Sequence, residues 1–326
     1  MKYKLFAKSF PGSKYQKKGW PCQDNSGKYE NDNMQVIALA DGHGSYDCFR
    51  SEIGSKIAVE TAIEESRKAL IDKEGNFSDT GIQNFKFALW NAWRKKVKID
   101  WDKHKETSTA LGEGELRYKT VSEKYKTRFT SEEEDIRERY LYTAYGTTLL
   151  CAISIDSQVL LLQIGDGTCV ILRRNGEFCV PMPIEEENFM NVTVSLCDEN
   201  AYEKIRHIVI DSEEDDAMSP VAAFLSSDGL DDCYPYEGNE KFLYKNVYTS
   251  IVKNIITEGY DATENEIRSE LLPYMTEKGS KDDISLAYFI VENVDLLKEA
   301  YENIPSFLAT IDTNAQENDV EITEMG

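Results

Sequence analysis

Short apolar runs recur along the chain and predict buried β-strands. Where two runs are separated by a gap of turn length, we expect the strands to pair antiparallel, because a short turn reverses the chain. Asn175-Gly176 separates one such pair and is a strong hairpin signal, since both residues tolerate a positive φ. The predicted strands span 35–40, 148–155, 159–164, 169–173, 177–180, 221–225 and 284–291.

Three helices are predicted where apolar residues recur every three or four positions along one face. These positions are Ile82, Phe85, Leu89, Trp93 and Val97 in one helix, Leu243, Val247, Ile251 and Ile255 in another, and Ile53, Ile57 and Ala62 in a weaker helix within 51–70. Strands and helices come in blocks instead of alternating regularly. The pattern therefore favours an α+β fold with antiparallel sheets over a doubly wound parallel sheet.

Two segments depart from this pattern. Residues 98–142 are highly charged and only patchily periodic, so we interpret them as a partly helical surface insertion. Residues 311–326 carry five acidic residues and no basic residue, which is typical of a solvated tail.

The charge balance narrows the classes of partner. The chain of 326 residues has 37 basic and 59 acidic residues and a net charge of −22. Such a surface repels phosphate backbones and anionic lipids, so we expect neither a nucleic-acid nor a membrane partner. No apolar run is long enough to span a bilayer, and the start lacks a signal peptide. Together with seven cysteines that include no CxxC pair, these features lead us to expect a reduced, cytoplasmic protein.

Five short segments place an Asp beside a Gly, at the predicted end of a strand, or both. Asp-Gly is also common turn chemistry, which can account for any one segment alone. In three of the segments, however, an apolar run stops at the acid. A carboxylate directly after a hydrophobic strand is unexpected unless it has a function. The segments are QD (23–24), ADGHG (40–44), IGDG (164–167), SSDG (226–229) and SKDDI (280–284).

Carboxylates that converge at strand ends repel one another and need cations. Two unit charges ~4 Å apart cost about 1 kcal/mol in water and about 4 kcal/mol at an effective dielectric of 20. Oxygen-only ligands select hard ions such as Mg²⁺ or Mn²⁺. Two such ions can bridge a water, lower its pKa and hold a phosphoryl group for in-line attack.

The motifs around these acids resemble those of the metal-dependent protein phosphatases, the protein phosphatase 2C family, and the start of the chain is most similar to the bacterial branch. The resemblance covers residues 1 to about 292. Its specificity lies in the order and spacing of six motifs: GWPCQDN (19–25), ALADGHG (38–44), YGTTLL (145–150), QIGDGT (163–168), SSDGL (226–230) and GSKDDISL (279–286).

The resemblance implies a fold and a domain organisation. The fold would be a four-layer α-β-β-α sandwich with two central antiparallel sheets and a dinuclear metal cleft at one edge. Residues 1–292 would form one catalytic domain that contains the charged insertion. Residues 293–326 would be a C-terminal extension that ends in the acidic tail.

The resemblance also implies two Mg²⁺ or Mn²⁺ ions and a weaker third. Asp41 would bridge the two ions, and the Gly42 carbonyl would complete one of them. Asp228 and Asp282 would bind the other ion, with Asp283 as the fallback for Asp282. Asp166 would help to bind the third.

The implied activity is that of a monomeric serine/threonine phosphatase acting on phosphorylated proteins by direct attack of a metal-bridged water. Asp24 would hold metal-bound water, and His43 would protonate the leaving oxygen. Many relatives also carry an arginine that grips the substrate phosphate before the first acidic motif. Here that stretch has no arginine, and Lys17 or Lys18 could substitute as a point charge.

Two other functions compete with this one. A catalytically weak or inactive relative could bind phosphorylated protein partners, which the missing arginine favours and the retained carboxylates disfavour. An unrelated acidic interaction protein is the other alternative. A phosphatase with an aspartyl nucleophile would need a DxDxT-like segment after a strand, and the sequence has none.

Overall fold

Two antiparallel sheets form the centre of the molecule. The computed structural model describes residues 1–68, 77–104, 126–128, 131–183, 193–212, 216–235 and 239–324. Within them the strands are β1 (Tyr3–Phe10), β2 (Asn25–Glu30), β3 (Met34–Ala40), β4 (Leu149–Ile155), β5 (Gln158–Ile164), β6 (Thr168–Arg173), β7 (Phe178–Cys179), β8 (Arg206–Asp211), β9 (Pro220–Ser226) and β10 (Ile284–Val291). The first sheet has the order β1-β10-β9-β6-β7 and the second β2-β3-β4-β5-β8.

Helices cover the outer faces of both sheets. The helices of the described residues are α1 (Ser13–Gln16), α2 (Ser51–Ser66), α3 (Asp79–His104), α4 (Glu134–Thr143), α5 (Ala201–Lys204), α6 (Asp228–Asp231), α7 (Asn239–Leu243), α8 (Thr249–Glu258), α9 (Tyr260–Glu266), α10 (Leu272–Lys278) and α11 (Val294–Glu324). π-Helical turns at Tyr244–Tyr248 and Ile267–Leu271 join α7 to α8 and α9 to α10. Helix α2 packs on the second sheet with α3 against it, while α10 and α11 contact the first sheet.

Strand β3 shows why the central strands read as continuous apolar runs. Ile37 and Leu39 belong to the core shared with the first sheet, whereas Val36, Ala38 and Ala40 belong to the core beneath α2 and α3. A strand buried on both faces needs apolar residues at every position. The predicted α+β sandwich of two antiparallel sheets with helices outside is confirmed.

The seven predicted strands are all present, and three further strands escaped prediction. The missed strands are β1, β2 and β8, and each lies at the edge of its sheet. Edge strands keep polar, partly exposed side chains, so the apolar signal is weak there. The predicted hairpin also forms between β6 and β7, but of the two turn residues Gly176 alone takes a positive φ, at 86°.

The predictions for the charged segment 98–142 and for the acidic segment 311–326 agree with the structure to different extents. Segment 98–142 is helical at both ends, in α3 and α4, as predicted, while 105–125 and 129–130 lie outside the described residues. The predicted tail is helical as far as Glu324, because α11 continues through it. Charge alone predicted a solvated tail and did not predict that helix. Leu297, Ala300 and Ile304 at the start of α11 are buried in the core of the first sheet.

No helix of the described residues combines the length and the apolar character that crossing a membrane requires.

Leu39 tests the core between the sheets. It is fully buried, so Leu39→Ala should lower the free energy of unfolding by about 2–5 kcal/mol, through lost burial and the cavity left behind. Ile99, which is 48% exposed, is the matched control, and Ile99→Ala should cost less than about 1 kcal/mol. Denaturant unfolding measures both values, and equal losses would contradict the assignment of Leu39 to the core.

Candidate functional site

A cleft of about 160 Å³ opens where the two sheets meet. Six of the residues predicted for the site line it: Asp41, Gly42, His43, Asp166, Asp228 and Asp282. They come from four motifs that are far apart in sequence.

The strand topology explains this convergence. β3 and β5 both pair antiparallel with β4, so they run parallel to each other and end at the same edge of the second sheet. Asp41 follows β3 and Asp166 follows β5. In the first sheet, β9 and β10 are antiparallel neighbours, so Asp228 after β9 lies near Asp282 before β10.

Two threonines fix the backbone of Asp41. The Asp41 amide donates to Thr148 Oγ1 at 3.0 Å. Its carbonyl accepts from Thr147 Oγ1 at 2.8 Å and from the Thr148 amide at 2.9 Å. The YGTTLL motif therefore holds the end of β3 through side-chain and backbone hydrogen bonds, which explains why both threonines occur there.

Two glycines allow the backbone around His43 to pack closely. A Cβ on Gly42 would lie 2.6 Å from the carbonyl oxygen of Gln23, and one on Gly146 would lie 2.7 Å from His43 Cδ2. The His43 amide also donates to the Gly146 carbonyl at 3.0 Å. Any larger residue at either position would displace this part of the cleft.

The pKa values of Asp41 and Asp228 are both raised, as expected for buried carboxylates that lie close together. Their side chains lie close enough to influence each other's ionisation. Burial raises the pKa of Asp228 to about 6, although the hydrogen bond from Asp41 opposes the shift. Burial and the charges of Asp24 and Asp228 raise the pKa of Asp41 well above its usual range. The pair favours having positive charge nearby.

Asp24 lies behind the cleft and is 3% exposed. Its Oδ2 accepts from Ser227 Oγ at 2.8 Å, but its Oδ1 is buried with no hydrogen-bond partner among the described residues. Burial, followed by the charge of Asp283, raises its pKa well above the ordinary value. A buried, unpartnered carboxylate oxygen is the kind of atom that a water or a cation satisfies.

The two aspartates before β10 have separate tasks. Asp283 is 3% exposed, and its two oxygens accept from the Gly12 amide at 2.6 Å and the Gln23 amide at 2.7 Å. Asp282 is partly exposed and forms an ion pair with Lys14. Asp283 therefore uses both of its oxygens to hold the N-terminal segment. Asp282, in contrast, has one oxygen paired with the Lys14 ammonium.

The other two cleft residues are partly buried. Asp166 Oδ2 accepts from Thr193 Oγ1 at 2.7 Å. Burial lowers the pKa of His43, while the nearby charges of Asp166 and Asp198 act in the opposite direction. His43 thus lies in a desolvated place beside carboxylates, which suits a group that exchanges a proton.

The structure does not bring Lys17 or Lys18 into the cleft. Lys17 is exposed, and the Lys18 ammonium lies 4.7 Å from the centre of the Trp20 ring. Lys14 forms an ion pair with the cleft carboxylate Asp282, and the neighbouring Tyr15 lines the cleft. The sequence carries no signal that singles out Lys14, because the contact depends on how the N-terminal segment folds back.

The donor set fits hard divalent cations in its chemistry. The candidate ligands all offer oxygen, the donor that Mg²⁺ and Mn²⁺ prefer. In addition, the buried Asp24 Oδ1 atom has no hydrogen-bond partner among the described residues. As the described side chains stand, no three His, Cys, Asp or Glu residues are grouped closely enough to hold an ion. The carboxylates are therefore assembled in one cleft but not closed around a metal.

Comparisons with known proteins agree with this architecture. The sequence model of the family described as protein phosphatase 2C matches residues 11–265. No curated protein matches the chain. The serine/threonine phosphatase of S. agalactiae has a TM-score of 0.53 at 16% identity, covering 89% of this chain and 100% of that one. Phosphatase Stp1 from Staphylococcus aureus has a TM-score of 0.52 at 14% identity, with 90% and 96% covered.

A third similar structure contains metal. It is the catalytic domain of the serine/threonine phosphatase PstP in complex with two manganese ions, with a TM-score of 0.50 at 13% identity, covering 89% of this chain and 99% of that one. At such identities the solved structures show the fold alone. The family model, in contrast, spans well over half of the sequence and shows membership: the chain belongs to the protein phosphatase 2C family.

Proposed function

We propose that this protein is a Mg²⁺- or Mn²⁺-dependent phosphatase that hydrolyses phosphoserine and phosphothreonine in proteins. The observation that carries the proposal is the convergence of Asp41, Asp166, Asp228 and Asp282 on one cleft at the ends of their strands. Membership of the family and the two manganese ions of the PstP structure support it.

In this proposal each carboxylate has a defined role. Asp41, the Gly42 carbonyl, Asp228 and Asp282 would together hold two divalent ions. The contact between the Asp41 and Asp228 side chains supports their sharing of a cation. When bound, the ions would lower the pKa of a water and hold the phosphoryl group for in-line attack.

Two further carboxylates support the reaction. The buried Oδ1 of Asp24 would accept a hydrogen bond from water in the cleft, since no described residue satisfies it. Asp166, anchored by Thr193, would bind a weaker third ion. Residues 1–292 form one catalytic domain in this proposal, because a single cleft draws on residues from both ends of that span.

His43 would give a proton to the leaving oxygen. The alkoxide of serine is a poor leaving group and needs a proton in the transition state. The ring is packed over Gly146 and its backbone is bonded to the Gly146 carbonyl, so it is held at the cleft without being placed among the proposed ligands. Burial lowers the pKa of His43, and the nearby charges of Asp166 and Asp198 act against that shift.

Metal removal tests the whole proposal. We expect EDTA to abolish hydrolysis of phosphoserine and phosphothreonine peptides, and Mn²⁺ or Mg²⁺ to restore it, because the cleft carboxylates cannot activate water alone. Circular dichroism should show the fold intact, since the core lies away from the cleft. Full turnover in excess EDTA would refute the metal-dependent mechanism, and no turnover with either metal would favour the inactive, phosphopeptide-binding alternative.

Asp228 tests the proposed ligands. Asp228→Ala should reduce turnover by roughly 100-fold or more, since losing a ligand withdraws several kcal/mol of Lewis-acid stabilisation. In metal-free buffer the same change should raise the melting temperature, more at pH 8 than at pH 4. A carboxyl whose folded pKa is raised from 3.8 to about 6 destabilises the fold as pH rises through that window.

The control for Asp228 is Asp295→Ala, which removes a carboxylate that is 92% exposed and far along the chain in α11. It should change neither turnover nor the melting temperature appreciably. An Asp228→Ala protein with wild-type turnover would remove this residue from the metal site.

His43 tests the proton donor. His43→Gln should cost roughly 100-fold or more on a phosphoserine peptide and far less on p-nitrophenyl phosphate, whose leaving group needs no proton. Calorimetric Mn²⁺ binding should barely change, because His43 is not a proposed ligand. Equal losses on the two substrates would assign the residue a structural role instead.

A further inference from the structure

Lys14 places a positive charge on one of the proposed metal ligands. Its ammonium forms an ion pair with Asp282 Oδ2, and the side chains are 40% and 28% exposed. The other oxygen, Asp282 Oδ1, accepts from the Asp283 amide at 2.9 Å. Both oxygens of Asp282 are therefore engaged within the chain.

The backbone fixes Lys14 at this position. The Lys14 amide donates to the Lys281 carbonyl at 3.1 Å, and the Gly12 amide donates to Asp283 Oδ1 at 2.6 Å. The chains approach so closely at Gly12 that a Cβ there would lie 2.3 Å from the carbonyl carbon of Asp282. These contacts hold the Lys14 backbone beside Asp282, which places the side chain within reach of Oδ2.

We propose that Lys14 is a built-in counter-ion that competes with the divalent cation for Asp282 and so sets the cation concentration at which the site fills. The inference rests on the proposed function in one respect, the binding of metal by Asp282. The ammonium balances the repulsion among the cleft carboxylates while no divalent ion is bound. An incoming cation must displace it from Oδ2 and gains less than it would at an unpaired carboxylate.

Tyr15 keeps the displaced ammonium nearby. The Lys14 ammonium already lies 4.7 Å from the centre of the Tyr15 ring, a cation–π distance. That ring packs against Trp20, with centroids 5.9 Å apart and the planes nearly parallel. The ammonium therefore has a second favourable contact besides Asp282, which lowers the cost of displacing it from Oδ2.

Calorimetric titration of the metal-free full-length protein with Mn²⁺ tests this inference. The measured quantity is the dissociation constant of the site that Asp282→Asn removes. Lys14→Met should lower this constant by about three- to tenfold, the range for losing one partly exposed competing charge.

Lys281→Met is the matched control. It removes the same charge one residue from Asp282, and the exposed Lys281 side chain has no ion pair with any described residue. This variant should bind Mn²⁺ within about twofold of the wild type, because its long-range effect is screened by salt.

The outcomes separate this inference from the proposed function. Tighter binding in Lys14→Met than in Lys281→Met, with no such gain when Asp282→Asn is also present, supports it. Equal constants in the two variants, weaker binding in Lys14→Met, or the same gain without Asp282 would overturn it. Failure of the proposed function appears instead in the wild type, as no hydrolysis with bound Mn²⁺. Absence of Mn²⁺ binding in both wild type and Lys14→Met would overturn both.

Discussion

Like charges gathered in one cleft are the constraint on which the site depends. At an effective dielectric of 20, two carboxylates ~4 Å apart repel by about 4 kcal/mol, so several together oppose folding. The rigid sheets hold them in place regardless, and each finds a different compensation. The raised pKa values of Asp41 and Asp228 favour the neutral carboxyl, Asp282 pairs with Lys14, and Asp24 accepts from Ser227 with one oxygen. A bound cation would reduce the same repulsion by supplying positive charge directly.

Several residues near the carboxylates hold the backbone in place and have no proposed role in the reaction. A Cβ on Gly54 would lie 1.9 Å from the Tyr145 carbonyl oxygen, so α2 can approach the YGTTLL motif only through a glycine. Beside that contact, Arg50 Nε donates to the Tyr145 hydroxyl at 2.8 Å, and this hydroxyl donates to Asp100 at 2.6 Å. The network ties the end of α3 to the motif that holds Asp41.

The sequence predicted the elements whose side chains repeat a simple pattern. Central strands such as β3 are apolar on both faces, and α3 carries Trp93 and its neighbours on one buried face, so both were predicted correctly. The edge strands β1, β2 and β8 carry polar side chains and gave no signal, whereas the edge strand β7 was predicted beside its hairpin turn. The helix at residues 294–324 was also missed, and the acidic composition of residues 311–326 suggested a tail for its second half. Acids at strand ends predicted the cleft, but the contact of Lys14 with Asp282 depends on a long-range return of the chain that no local pattern encodes.

The pair Asp282-Asp283 shows how folding and chemistry share one motif. Asp283 turns inward and accepts two backbone amides, from Gly12 and Gln23, which lie on either side of α1. The carboxylate thereby fixes the segment that carries Lys14 and the one that leads into Asp24. Asp282, one residue earlier, faces the cleft. Because both ends of the N-terminal segment are anchored by Asp283, its loss would move a counter-ion and a buried acid together, whereas the loss of Asp282 would lower the negative charge of the cleft and remove the partner of Lys14.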